Sequence, residues 1–379
     1  MAEKVVNSDI EFAYVSENSE IELKRELEKY FLYQNILIID KYFEYGSIIE
    51  KLKHNTKCNI IVERDIRKVN NFEIFSCIIN VNCSDLDFTK MVCYENNIPY
   101  ILALTKVYDA FCFKSFIYDK FSVKKTNYPI GIIFSLNTSF KNTKLICQSI
   151  LEISSLSFFV LQNKICSLFF METNSNPISV QYKKILKELI DILQNKENID
   201  IKYYKNILSL YLSYAILVSK FQPDVLDNLM CIYKTYCNKK NIIEAKYAFV
   251  LIITSLEKNF FKFYNTSFKN QINYKKHQDF MKSLNLKPQF NSSVLPSAKV
   301  GFLITEFRNK FLSYIKTELA FQDVIKNQVA EIDVDYLFET FSNFASLNVT
   351  NYINIEQDIF KSQNFLTILF NEGLLNFDF

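Results

Sequence analysis

The sequence predicts an α/β half followed by an all-helical half. Two observations carry this: continuous apolar runs alternate with amphipathic stretches from Asn35 to about residue 136, and the hydrophobic period changes after about residue 145. A length of 379 residues supports the division, since domains of ~100–200 residues are usual. The expected boundaries are 1–145 for an α/β domain and 146–379 for a helical one.

The elements follow in order. Asn35–Asp40 (NILIID) reads as a strand and Gly46–His54 as a helix. Cys58–Glu63 and Ser76–Asn82 are the next strands, Asp85–Asn97 a helix, and Pro99–Thr105 and Pro129–Leu136 two more strands. Strands apolar on both faces, separated by helices, imply a parallel sheet covered on either side. Beyond residue 145 the spacing is helical. Ile185, Leu186, Leu189 and Leu193 share one face, as do Ile304, Phe307, Phe311, Ile315 and Leu319. Segments 200–220, 243–263, 301–321 and 356–370 repeat the pattern. Asn265–Ser297 is polar, carries Pro288 and Pro296, and reads as a long connection.

Composition excludes several functional classes. The apolar share of 49% and charged share of 22% are globular values. A net charge of +3, with lysines scattered and the densest run (Lys234 to Lys246) broken by Glu244, argues against nucleic acid as a partner. Ile207–Val218 and Tyr247–Leu256 fall short of the ~20 apolar residues of a membrane span and read as buried helices. No basic-then-apolar leader follows Met1–Glu3. The nine cysteines are irregularly spaced without CxxC, as expected of buried thiols. The expectation is a cytoplasmic protein with neither membrane nor nucleic-acid partner.

Residues Ser84 to Asn137 resemble the superfamily of dehydroquinate synthase, glycerol dehydrogenase and glycerol-1-phosphate dehydrogenase, the last being the nearest branch. There a glycine triplet precedes a helix written x-x-x-D-x-x-K. A strand ending P-T, then S-x-D-G, then a lysine-bearing hairpin follow. Asp87, Lys90, Pro99, Thr105, Asp109, Lys124, Pro129 and Ile133 hold comparable places. The resemblance implies a dehydroquinate synthase-like fold with residues 1–145 as a Rossmann-like domain, an NAD(P) cofactor bound at the first of these turns, and a divalent ion in the helical half.

The departures are as informative. The glycine triplet corresponds to Val81-Asn82-Cys83, and the chain has no glycine between Gly46 and Gly131. A dinucleotide's pyrophosphate approaches the backbone closely at such a helix N-terminus, where a Cβ intrudes. Ser84 and Asp87 suggest a capping box instead, with Asp85 adding negative charge. The resemblance places the metal-binding Asp at Glu152, in Ser149-Ile150-Leu151-Glu152, and the two His near Leu229 and Ile242. Neither leucine nor isoleucine donates an electron pair. The chain's two histidines are His54 and His277, neither of which falls at these places.

Asp87 and Lys90, at i and i+3, suggest a surface ion pair. Thr105 and Asp109 read as ordinary strand-end and turn residues, or as contacts to a hydroxyl-bearing ligand. Glu152 with Asp227 and Cys231 would compose a carboxylate–thiolate site, an uncommon chemistry without His. No nucleophile elbow or P-loop is present. The expectation is a catalytically degenerate fold without cofactor, serving as a binding or scaffolding module through a protein partner or self-association. The alternative is an active NAD(P)-dependent oxidoreductase on a polyol or polyol phosphate, with a non-standard or absent metal site and Lys124 or Lys125 on phosphate. Tyr108, Phe111 and Phe113, bulky residues in the substrate-side loop, predict a crevice plugged at the strand ends.

Overall fold

The computed structural model describes residues 10–119, 122–136, 146, 148–156, 158, 161, 178–194, 201–220, 246 and 250. The helices predicted at 243–263, 301–321 and 356–370, the connection at 265–297, and Asp227, Leu229, Cys231, Ile242 and His277 lie outside these residues.

The chain divides into two compact units, one of Met1–Ile150 with Glu188–Phe221, the other of Leu151–Lys187 with Gln222–Phe379. The first contains a six-stranded, wholly parallel sheet. Its strands are β1 (Phe12–Ser16), β2 (Asn35–Ile39), β3 (Asn59–Glu63), β4 (Cys77–Val81), β5 (Tyr100–Leu104) and β8 (Gly131–Ser135), and β6 (Phe116–Asp119) with β7 (Ser122–Lys125) forms a separate antiparallel hairpin. The sheet order is β1-β8-β5-β4-β2-β3. From β2 the chain goes outward to β3, then crosses back to β4 and continues through β5. The order therefore reverses between β2 and β4, and open α/β sheets bind ligands at the strand ends beside such a reversal.

Every strand read from the sequence is present, trimmed by a residue or two at its ends. β1 and α1 (Ser19–Tyr30) are additional. Their pattern is weak: α1 is mostly charged and buries Leu23 and Leu27 along with Glu26, whose carboxylate accepts a 2.9 Å hydrogen bond from the buried Tyr14 hydroxyl. The Lys124 hairpin implied by the family resemblance is β6–β7, with Lys124 exposed and in register with Ile117.

β1, β4, β5 and β8 are buried throughout, and each fully buried Ile or Leu contributes ~1.5–3 kcal/mol. Gly131 has no room for a side chain, since a Cβ would collide with the Phe12 ring. Helices α2 (Gly46–Asn55) and α3 (Leu86–Glu95) follow β2 and β4, and residues 148–156 form α4. The expected face of α5 (Ile178–Gln194) is observed, with Ile185 and Leu189 buried, and α6 (Ile201–Ser219) is buried on nearly all sides, as the apolar window 207–218 requires. Among the described residues no helix is long and apolar enough to cross a membrane. Cys58, Cys77 and Cys93 are buried free thiols, and Cys83 and Cys112 are half-buried.

Candidate functional site

The ends of β4, β5 and β2 meet at the sheet's reversal point, where the sequence placed its phosphate turn. Val81 is the last residue of β4 and is buried in the core, so the turn itself begins one residue later than the alignment with a glycine triplet suggested. Asn82, Cys83 and Asp85 have left-handed backbones, with φ of 53°, 53° and 47°. This is the region where glycine is at ease and other residues are strained, Asn and Asp least so. The backbone thus follows a glycine-like path, but with side chains attached.

The Asn82 side chain crosses the gap between the strands. Its Nδ2 donates to Thr105 Oγ1 at 2.9 Å, and its Oδ1 accepts from Thr105 N at 2.7 Å. Nδ2 also donates to Glu44 Oε2, in the turn after β2, while Glu44 Oε1 is bonded by Lys106 Nζ. Asn82, Thr105, Glu44 and Lys106 therefore form one network across the strand ends. Thr105, expected as an isolated strand-end residue or ligand contact, is a fixed partner of Asn82 and 7% exposed. Asp109 is buried one turn further on, and its carbonyl accepts from Cys112 N.

Asn80 anchors the turn from below. It is fully buried within β4, and its Nδ2 donates to Ser84 O at 2.6 Å and Thr89 Oγ1 at 2.8 Å. Sequence reasoning passed over it, although an amide in the apolar run Cys77-Ile78-Ile79-Asn80-Val81 is itself a signal, because a buried amide needs partners.

Two expectations for this helix end are corrected. The Ser84/Asp87 capping box does not form: Asp85 occupies the N-cap position without a side-chain cap hydrogen bond, because its left-handed backbone turns the carboxylate away from the helix amides. That carboxylate instead meets Lys41 at 3.5 Å and Arg67 at 3.4 Å. Nor are Asp87 and Lys90 a surface pair. Asp87 is exposed, whereas Lys90 is fully buried and donates to Lys114 O at 2.8 Å and Phe116 O at 3.2 Å. The two residues sit at i and i+3, yet the hairpin covers one and leaves the other in solvent.

On the β2 side, Asp40 folds its carboxylate onto its own turn, accepting from Glu44 N at 3.1 Å and Tyr45 N at 2.9 Å. Tyr45 lies beneath, 1% exposed, its hydroxyl on Leu104 O at 3.2 Å. Burial pushes this phenol well above its ordinary range, so it remains neutral and serves as a packing element. In the 105–113 loop Phe113 is fully buried edge-on against Tyr211 of α6, whose hydroxyl donates to Tyr108 O at 2.6 Å and accepts from Tyr108 N. Two of the three predicted bulky residues are thus fastened to α6 within the first unit; the side chain of Phe111 lies outside the described residues.

Glu152, a residue of the second unit, lies on α4. It is fully buried and paired with the buried ammonium of Lys246 at 3.1 Å. Lys246 was not foreseen, because nothing in local sequence links positions so far apart. Among the described residues no group of three His, Cys, Asp or Glu side chains is arranged to hold a metal ion.

No protein-family model and no curated protein sequence matches the chain. Its fold, however, is that of known structures. It is similar to a probable glycerol dehydrogenase from Sinorhizobium meliloti (11% identity, 96% of each chain covered, TM-score 0.54). It also resembles an iron-containing alcohol dehydrogenase from Thermotoga maritima (9% identity, 99% of each chain, TM-score 0.53). An NADH-dependent butanol dehydrogenase A from the same organism is comparable (12% identity, covering 97% of this chain and 99% of that one, TM-score 0.53). At these identities the likeness is one of fold, and it is the fold that residues 84–137 led us to expect.

Proposed function

We propose that this chain uses the dehydrogenase fold without its dinucleotide and metal chemistry, as a binding or scaffolding protein. The observation that carries this reading is the Asn82 side chain. It spans from β4 to Thr105 and Glu44 across the reversal point, where a diphosphate would need bare backbone. Asp85 adds a carboxylate at the N-terminus of α3, the place where such a ligand would seek positive potential.

The ion-binding half lends independent support. In the fold's iron-containing members a divalent ion would act as a Lewis acid on a substrate oxygen. The residues here do not fit one. Glu152 faces an ammonium that already neutralises it and would repel a dication, and the positions matched to the two histidines fall near Leu229 and Ile242.

A second reading, an active NAD(P)-dependent oxidoreductase, draws on the left-handed backbone kept at Asn82 and Cys83 and on a neighbour of this fold that is NADH-dependent. A thermal-shift panel with NAD, NADP, nucleotides and divalent ions separates the two. A ligand at a hundredfold over its dissociation constant adds ~2.7 kcal/mol of stability, a shift of several degrees. The expected outcome is no shift with any of them. A cofactor shift together with turnover of a polyol or polyol phosphate would establish the oxidoreductase.

A further inference from the structure

The two edges of the parallel sheet differ. β1 is buried along its whole length, whereas β3 is exposed at Asn59 and only half-buried from Ile60 to Glu63. Asn59 N donates to Gln34 O, and Glu63 O accepts from Asp40 N, so the odd-numbered residues of β3 direct their backbone groups toward β2. By the alternation of a strand, the N–H and C=O groups of Ile60 and Val62 point away from the sheet. Among the described residues no strand lies beyond them. The edge carries no proline, and its centre, Ile60-Ile61-Val62, carries no charge. Such features are what usually prevent edge pairing.

We propose that β3 is a self-association edge, pairing antiparallel with β3 of a second copy about a twofold axis at Ile61. The outward-pointing groups fit this register: Ile60 of one copy exchanges both backbone hydrogen bonds with Val62 of the other, and Ile61 meets Ile61 as the close, non-hydrogen-bonded pair. The charges select a second copy as the occupant. The strand is basic before its start, at Lys57, and acidic at its end, at Glu63 and Asp65. Antiparallel pairing sets Lys57 opposite Asp65 and Asn59 opposite Glu63, while a parallel arrangement would align like with like. Arg64 is stacked on its own Phe43 ring at 4.0 Å, Lys57 Nζ lies at the margin of the Tyr33 ring at 5.9 Å, and Asp65 accepts from Arg67 N through Oδ1. An interface used by both copies identically is the ordinary closed solution for a homodimer. Its narrow width places it among the weaker specific contacts, with a dissociation constant on the order of 10 µM.

The test is sedimentation velocity of the full chain across concentrations spanning that value, which should show monomers giving way to dimers. Ile61→Lys should abolish the dimer by bringing like charges together at the axis. Lys57→Asp should weaken it at least tenfold, and adding Asp65→Lys to that variant should restore it. If Ile61→Lys fails to fold, the two exchanges at Lys57 and Asp65, on the rim of the strand, decide the matter. Ile61→Cys should form an interchain disulfide on mild oxidation above the wild-type background, because ~4.5 Å between the facing Cα atoms suits one. A wild type that stays monomeric throughout, or a dimer unchanged in Ile61→Lys, would overturn the assignment. None of these variants touches the Asn82 turn, so this result and the cofactor panel fail independently.

Discussion

Two strand-to-helix turns flank the reversal point of the sheet, and they have been built in opposite ways. The turn from β4 into α3 is closed: Asn82, Cys83 and Asp85 take left-handed backbones, and the side chains of Asn82 and Asp85 reach outward to Thr105, Glu44, Lys41 and Arg67. The turn from β2 into α2, left-handed only at Phe43, folds one of its acids inward while Glu44 reaches across to Asn82. Asp40 satisfies Glu44 N and Tyr45 N, and Gly46 at the helix start faces open space. Beside it lies a groove of ≈ 350 Å³ bordered by Phe43, Gly46, Ile49, Val62 and Arg64. The contrast teaches that a left-handed backbone path does not by itself make a phosphate turn. What matters is whether side chains fold back over it.

The contrast can be broken at either turn. The largest effect is expected on the closed side, where Lys90 ties α3 to the hairpin. Lys90→Met would leave the carbonyls of Lys114 and Phe116 without that donor and cost about 3 kcal/mol, read from urea denaturation midpoints. On the open side, Asp40→Ala removes the acceptor for two turn amides and should cost about 2 kcal/mol by the same measurement.

Asn82→Gly sharpens the comparison, since it removes the bridging amide but relieves the left-handed strain. The two effects oppose each other, and a net loss of only about 1 kcal/mol is expected. Smallest, and of opposite sign, is Gly46→Ala. A Cβ there meets nothing within 4 Å, so the variant should gain about 0.5 kcal/mol through its stiffer unfolded chain. Destabilisation by Gly46→Ala would mean that the open turn is tighter than described.

The same pair of turns marks how far sequence reasoning reached. The strands around them were legible because their apolar runs need no context, and the absence of glycine from Gly46 to Gly131 pointed to an altered turn. The turn's contents were less legible. Ser84 and Asp87 have capping-box spacing, but a box requires an extended N-cap residue, and Asp85 is left-handed. Lys90 reads as a solvated helix residue until the hairpin β6–β7 is laid over it. Glu44, Lys106 and Lys246 act through partners distant in the chain, which no local pattern encodes. β1 and α1 went unread because a charged helix and a tyrosine-bearing strand lack strong periodicity, and the Tyr14–Glu26 hydrogen bond that reconciles them is tertiary.

The most direct measurement is a fluorescence titration of NADH with the wild-type chain, alongside the Asn82→Gly/Cys83→Gly variant. With Asn82 barring the turn, the wild type should give no saturable enhancement, and any enhancement should arise only in the variant. Saturable binding by the wild type, competed away by ADP-ribose, would contradict a closed turn and return the chain to the working dehydrogenases.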